Sequence, residues 1–141
     1  FKPVIVRSDK HWADGTVTGN DARREEALAA EWQLHDTIYA GAPYLIQLGK
    51  SHTVLSIQST EGRKGHNERF ANMQVYVGDK SARNFCNRST PMPELKENAS
   101  ALWNSLHQID DETVIAVMSV GGQERGKGGI WTVKGKIVEM Q

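Results

Sequence analysis

Apolar and polar positions alternate along much of this chain, and from Ala42 onward the alternation comes twice, about 60 residues apart. The first copy opens with Ala42-Pro43-Tyr44-Leu45-Ile46-Gln47-Leu48, turns through a polar Gly-containing stretch, and continues as Thr53-Val54-Leu55-Ser56-Ile57-Gln58-Ser59. The second opens with Trp103-Asn104-Ser105-Leu106-His107-Gln108-Ile109, turns through Asp110-Asp111-Glu112, and continues as Thr113-Val114-Ile115-Ala116-Val117-Met118-Ser119. Short runs rich in Val, Ile and Thr between turn residues read as strands. The pattern predicts strands over 43–48, 54–59 and 72–78, with a weaker fourth over 85–90. In the second copy it predicts strands over 104–109, 113–119 and 129–134. There a Lys134-Gly135-Lys136 turn would lead into a fourth strand at Ile137-Val138-Glu139-Met140.

Two copies of a short antiparallel sheet, joined through Pro91-Met92-Pro93 and Asn98-Ala99-Ser100, have the layout of consecutive β-propeller blades. The expected fold is therefore all-β, with one blade over 39–98 and the next, incomplete or not, over 99–141. Residues 1–38 read as the end of a preceding blade: a strand over Phe1–Arg7, then a polar stretch. A short surface helix follows, rich in helix formers between Arg23 and Ala30. Propellers close with about four to eight blades, and each blade buries its faces on its neighbours. Two blades leave a ring unfinished, so the remaining blades are expected on the same precursor or on another chain. A start at Phe1 rather than Met fits processing or truncation.

Composition narrows the function classes. The chain carries 17 basic and 17 acidic residues among 141, so it has no basic footprint for nucleic acid. No apolar run is long enough for a membrane helix. The single Cys86 excludes an internal disulfide framework and a Cys-based zinc cluster, and it has no identifiable base partner. His11, His35, His52, His66 and His107 are scattered without metal-ligand spacing, so neither a metal nor a cofactor is expected.

The runs Tyr39-Ala-Gly-Ala-Pro-Tyr-Leu-Ile-Gln-Leu and Val54-Leu-Ser-Ile-Gln-Ser-Thr-Glu-Gly-Arg63 resemble the sialidase (neuraminidase) superfamily, within it bacterial six-bladed proteins. The second copy resembles the following blade. Gly78-Asp79-Lys80-Ser81-Ala82-Arg83-Asn84-Phe85 resembles a degenerate form of the family's Asp box, a turn that stabilises the fold without taking part in chemistry. Ser8-Asp9 before Trp12 is a fainter likeness. The resemblance implies a glycoside hydrolase acting on terminal sugars, a carbohydrate ligand, and a secreted or periplasmic protein. The alternatives are a non-catalytic carbohydrate-binding propeller and a structural or interaction module.

In propellers of the family it resembles, the ligand end lies at the starts of the inner strands and the ends of the second strands. Those places hold Tyr39 and Gln58 in the first copy, and Trp103 and Asn104 in the second. The loop Thr60–Arg69 brings carboxylates and guanidinium groups there. Glu61 is the candidate acid or base, and Arg63 and Arg69 are candidate forks for a substrate carboxylate. In the second copy, the matching loop offers Glu124 as a further candidate acid or base and Arg125 as a further candidate for binding substrate. Trp103 offers an aromatic platform for a sugar face. The resemblance also calls for a Glu beside a Tyr nucleophile and for three arginines. Ala42-Pro43, Asn104-Ser105, Gln58 and Met118 stand where such groups could lie.

Overall fold

A computed structural model describes residues 39–139 apart from Cys86, Arg125 and Gly126; the side chain of Glu124 is also outside the description. The expected strand at Phe1–Arg7, the helix over 23–30 and the second Asp-box likeness at Ser8-Asp9 fall outside these residues. The described chain is all-β, in two antiparallel sheets that do not close on themselves. The first sheet runs β1 (Ala40–Leu48), β2 (His52–Ser59), β3 (Asn72–Asp79) and β4 (Asn87–Ser89), each strand paired with the next. The second runs β5 (Ser100–Gln108), β6 (Thr113–Glu124) and β7 (Lys127–Lys136).

The repeat is real at the level of hydrogen-bond register. Tyr44 pairs with Ser56 in the first sheet, and Ser105 pairs with Val117 in the second, each 61 positions further on. Both inner strands break register at one place, between Gly41 and Tyr44 and between Leu102 and Ser105. A non-glycine residue at each bulge takes a left-handed backbone: Ala42 at φ 45° and Trp103 at φ 50°. Such a conformation crowds the Cβ atom and costs about 1–2 kcal/mol.

The structure shifts one equivalence by a residue. Sequence similarity aligns Thr53 with Thr113, whereas the amide of Ile109 donates to the carbonyl of Thr113 (2.9 Å), the place His52 holds opposite Leu48. Side chains alternate faces along a strand, so a slip of one residue exchanges the faces. The two sheets turn opposite faces toward one shared core. Val54 of the first and Val114 of the second thus meet in a single cluster, although they are not equivalent positions. That shared core imposed the misleading likeness.

The cluster draws Leu48, Val54, Met73 and Val75 from the first sheet and Ala101, Leu106, Val114, Ala116, Met118 and Val120 from the second. Behind the first sheet, Ala40, Leu55, Ile57, Tyr76 and Phe85 form a second cluster, which is why β2 is buried on both faces from Thr53 to Ser59. The turns also meet. Gly49 has φ +60°, and a Cβ there would lie 2.9 Å from the carbonyl oxygen of Asp111, so the residue is fixed by backbone and by space.

Two details of the second sheet depart from the sequence pattern. No fourth strand forms over 137–139: β7 continues through Gly135, which pairs with Val114, and ends at Lys136. The Ile137 amide then donates to the Glu112 carbonyl (2.8 Å), so the chain has run past the end of the ladder instead of turning back. The stretch after Ser119 is not a wide loop either, because β6 extends to Glu124, with a bulge after Val120, and pairs back onto Lys127. The Asp79 turn between β3 and β4 is a tight, self-bonded structure. The Asp79 carboxylate accepts from the amides of Ser81 and Arg83 and from the Asn84 side chain, and Phe85 closes the turn into the second core.

Candidate functional site

The bulges, the segment after β2 and the end of β6 come together at one end of the sheets. Asn104, within the second bulge, is buried and joins the two copies: its carbonyl accepts from the Ser56 hydroxyl, and its amide donates to the Ala42 carbonyl (3.3 Å). The Ala101 amide adds a backbone bond to the Ala71 carbonyl (2.9 Å). Asn104 is thus occupied as a tie between sheets, and the neighbouring Trp103 is the residue that the bulge presents to solvent, 79% exposed.

An open depression of about 480 Å³ lies at this end. It is lined by Glu68, Arg69 and Phe70 of a 3-10 turn, by Asn98, by Ser100 and Leu102 of β5, and by Gly121 and Gly122 of β6. Asn67 caps the turn, its side chain accepting from the Arg69 amide (3.1 Å). The Arg69 side chain is exposed and makes no ion pair with a described carboxylate. Tyr39 lies over Gly41 at the start of β1. Burial, and secondarily the Glu68 carboxylate, push its phenol above the usual range. Gln58 is buried in β2, opposite Gly41 on one side and Met73 on the other.

The remaining sequence candidates are engaged elsewhere. Glu61 pairs with Arg88 of β4, and hydrogen bonding to that carboxylate raises the Arg88 pKa. Arg63 is the more instructive case. Its Nε donates to the Phe70 carbonyl (2.7 Å), Nη1 to Leu95 (2.9 Å), and Nη2 to Lys96 (2.7 Å), Glu97 (3.4 Å) and Ala99 (2.7 Å). All three guanidinium nitrogens donate to main-chain oxygens, one in the 3-10 turn and the rest in the crossover between the sheets. Desolvation there lowers its pKa, partly offset by Glu97. A guanidinium in this setting positions the wall of the depression, because Phe70 and the segment leading to Asn98 and Ser100 are what it holds. Gln123 completes the clamp, accepting from the Lys96 amide (2.8 Å) and donating to the Glu94 carbonyl (3.4 Å).

Nothing in the spacing of Arg63 or Gln123 marks them in sequence as clamps. Their role depends on the crossover folding back against the loop. Asn98, Ser100 and Leu102 were also missed as lining residues, since the crossover read only as a connection. The expected site residue Arg125 lies outside the described residues, as does the Glu124 side chain. Among the described residues no cluster of His, Cys, Asp and Glu is arranged to hold a metal ion. No family model matches the chain, and comparisons with curated proteins and with solved structures find no match.

Proposed function

We propose that the two sheets are adjacent blades of a β-propeller that binds carbohydrate at the end carrying Trp103. The observation that carries this reading is the pair of equivalent bulges. Both force a non-glycine residue into left-handed backbone; one fills the place with a methyl group, the other with an indole left 79% in solvent. Glycine would relieve the strain at either position, and packing does not retain a side chain so exposed. Strain held at an exposed aromatic is a mark of a functional surface. A flat indole on the residue next to Leu102, which lines a depression with a guanidinium and polar side chains, suits the apolar face and hydroxyl edge of a sugar.

Blade packing is supported by comparing repeat positions. Leu48 and Met73, fully buried where the first sheet meets the second, correspond in register to Ile109 and Ile130 on the far face of the second. Ile109 and Ile130 are 51% and 73% exposed. The far face has the composition of a docking face without its neighbour, as expected if further blades come from the same precursor or another chain.

Binding without hydrolysis is favoured over the hydrolase reading. The sialidase type that the resemblance implies uses a Tyr nucleophile in place of the usual second carboxylate, and that Tyr has to be activated by a neighbouring base. Among the described residues Glu68 is the only carboxylate lining the depression, Glu61 is paired with Arg88, and burial and Glu68 raise the Tyr39 pKa, the reverse of what activating a phenol nucleophile requires. The test is a glycan array probed with the 141-residue chain and with its Trp103→Gly and Arg69→Ala variants, beside a panel of fluorogenic glycosides. The reading expects array signal that both substitutions reduce, with no glycoside turned over. Turnover abolished by Glu61→Gln would restore the hydrolase, and an array blank for the wild-type chain would leave a structural or interaction module.

A further inference from the structure

We propose that a cleft between the two sheets, remote from Trp103, is a binding site for an anionic amphiphile with a medium-length aliphatic chain. The cleft has a volume of about 260 Å³. Its walls are Val54 and Val75 from the first sheet and Leu106, Val114 and Ala116 from the second, all nearly excluded from water. Protein interiors ordinarily close such gaps, since packing density approaches that of organic crystals. Here small residues leave it open. Gly135, which lines the cleft, pairs directly with Val114 in the ladder, so both face the same side. A Cβ at Gly135 would meet Val114 at 3.8 Å, an ordinary contact, and its backbone is not in the left-handed region. Neither space nor conformation therefore requires glycine at this place, and its missing side chain keeps the cleft open.

A dry apolar cavity of about 150 Å³ accepts benzene. A cleft of 260 Å³ accordingly takes a ligand nearly twice that size, such as an aliphatic chain of about eight carbons. The choice of headgroup follows from the residues at the margin. Lys136 lines the cleft next to Gly135, Ser89 lines it from β4, and no acidic residue is among the described lining. The Lys136 ammonium rests 3.4 Å from the Glu112 carboxylate in a pair whose two side chains are each 62% exposed. Exposed pairs of this kind are weak and easily exchanged for another anion. A carboxylate headgroup at Lys136 with its tail between the sheets satisfies both halves of the site.

Octanoate is the probe, titrated calorimetrically into the full 141-residue chain, with 1-octanol as the uncharged control. The wild-type chain is expected to bind octanoate saturably, one per chain, and more tightly than octanol. Ala116→Leu and Gly135→Val fill the cleft from the neighbouring strands β6 and β7 and should each weaken octanoate at least tenfold without lowering the thermal midpoint. Two fillings are used so that a folding failure in one leaves the other informative. Lys136→Gln should weaken octanoate about threefold, the scale of an exposed ion pair, and leave octanol unchanged. The site is overturned if the wild-type chain binds neither probe saturably, or if a folded filled variant keeps wild-type affinity. Equal octanol and octanoate affinities, unmoved by Lys136→Gln, would overturn the anionic headgroup. A Trp103→Gly variant that loses glycan binding but keeps octanoate binding separates this site from the carbohydrate end.

Discussion

Replacing Arg63 by alanine should destabilise the protein severely, and the structure supplies the magnitude. Five bonds to main-chain carbonyls are lost at once, from Phe70, Leu95, Lys96, Glu97 and Ala99. A hydrogen bond from a charged donor contributes roughly 1.5–3 kcal/mol when well formed and shielded. The full sum does not apply, because the bonds to Lys96 and Glu97 are solvent-exposed, where water replaces the lost donor. The half-buried bonds to Phe70, Leu95 and Ala99 remain, and discounting them for partial exposure gives about 3 kcal/mol. For a chain of this length that corresponds to a fall of about 10 °C in thermal midpoint. Arg63→Lys keeps the charge but loses the planar fork, so it should recover less than half of the loss. Thermal and urea unfolding followed by far-ultraviolet circular dichroism measure both variants. The sign of the error would be informative. If Arg63→Ala unfolds within about 0.5 kcal/mol of wild type, the scale of an ordinary surface change, the clamp contributes nothing and the crossover is held by other contacts. A ligand-binding arginine would show that pattern, with affinity lost and stability kept.

Other consequences can be checked on the same unfolding curves. Gly49→Ala should cost at least about 1–2 kcal/mol, because it places a Cβ at positive φ against the Asp111 carbonyl where the two turns meet. Asn104→Ala removes the partner of both the Ser56 hydroxyl and the Ala42 carbonyl and should cost about 1–3 kcal/mol; combined with Ser56→Ala, the losses should be less than additive. Asp110 has its pKa lowered, chiefly by the Glu112 amide and then by the Thr113 side chain. Its folded-state pKa lies below the unfolded value near 3.9, so its contribution is complete above about pH 4 and is lost as pH falls through the lower folded value. Asp110→Asn should therefore flatten the acid limb of the stability profile below pH 4 and leave the curve above it parallel to wild type.

Much of the architecture was legible in the sequence, for a physical reason. Val, Ile and Thr runs between Gly, Asp and Pro turns can satisfy their backbone only as paired strands, so the positions of β1 to β3 and of β5 to β7 followed from composition and alternation. What could not be read is what depends on how the sheets meet. The one-residue slip between Thr53 and Thr113 arose because the two sheets offer opposite faces to one core, and a pattern cannot say which face is inward. The same holds for the site. Sequence reasoning expected Arg69, Tyr39 and Trp103 at a common end, and it expected Arg63 there as a free fork, because charge in a Gly-rich loop carries no sign of its partners. The carbonyls that occupy Arg63 lie more than 30 positions away along the chain for all but Phe70. Gly135 read as a turn residue, where the structure shows a gap in the wall of a strand.

The central claim is that Trp103 is kept at a strained position for binding rather than for folding. Its most direct test is to titrate the strongest array glycan into wild-type chain and Trp103→Gly calorimetrically, with thermal melts of both. The account predicts saturable binding by wild type and at least tenfold weaker binding by Trp103→Gly. The variant's stability should be unchanged or higher by about 1 kcal/mol as the left-handed strain is relieved. Equal glycan affinity in the two proteins, or a glycine variant that is markedly less stable, would contradict it.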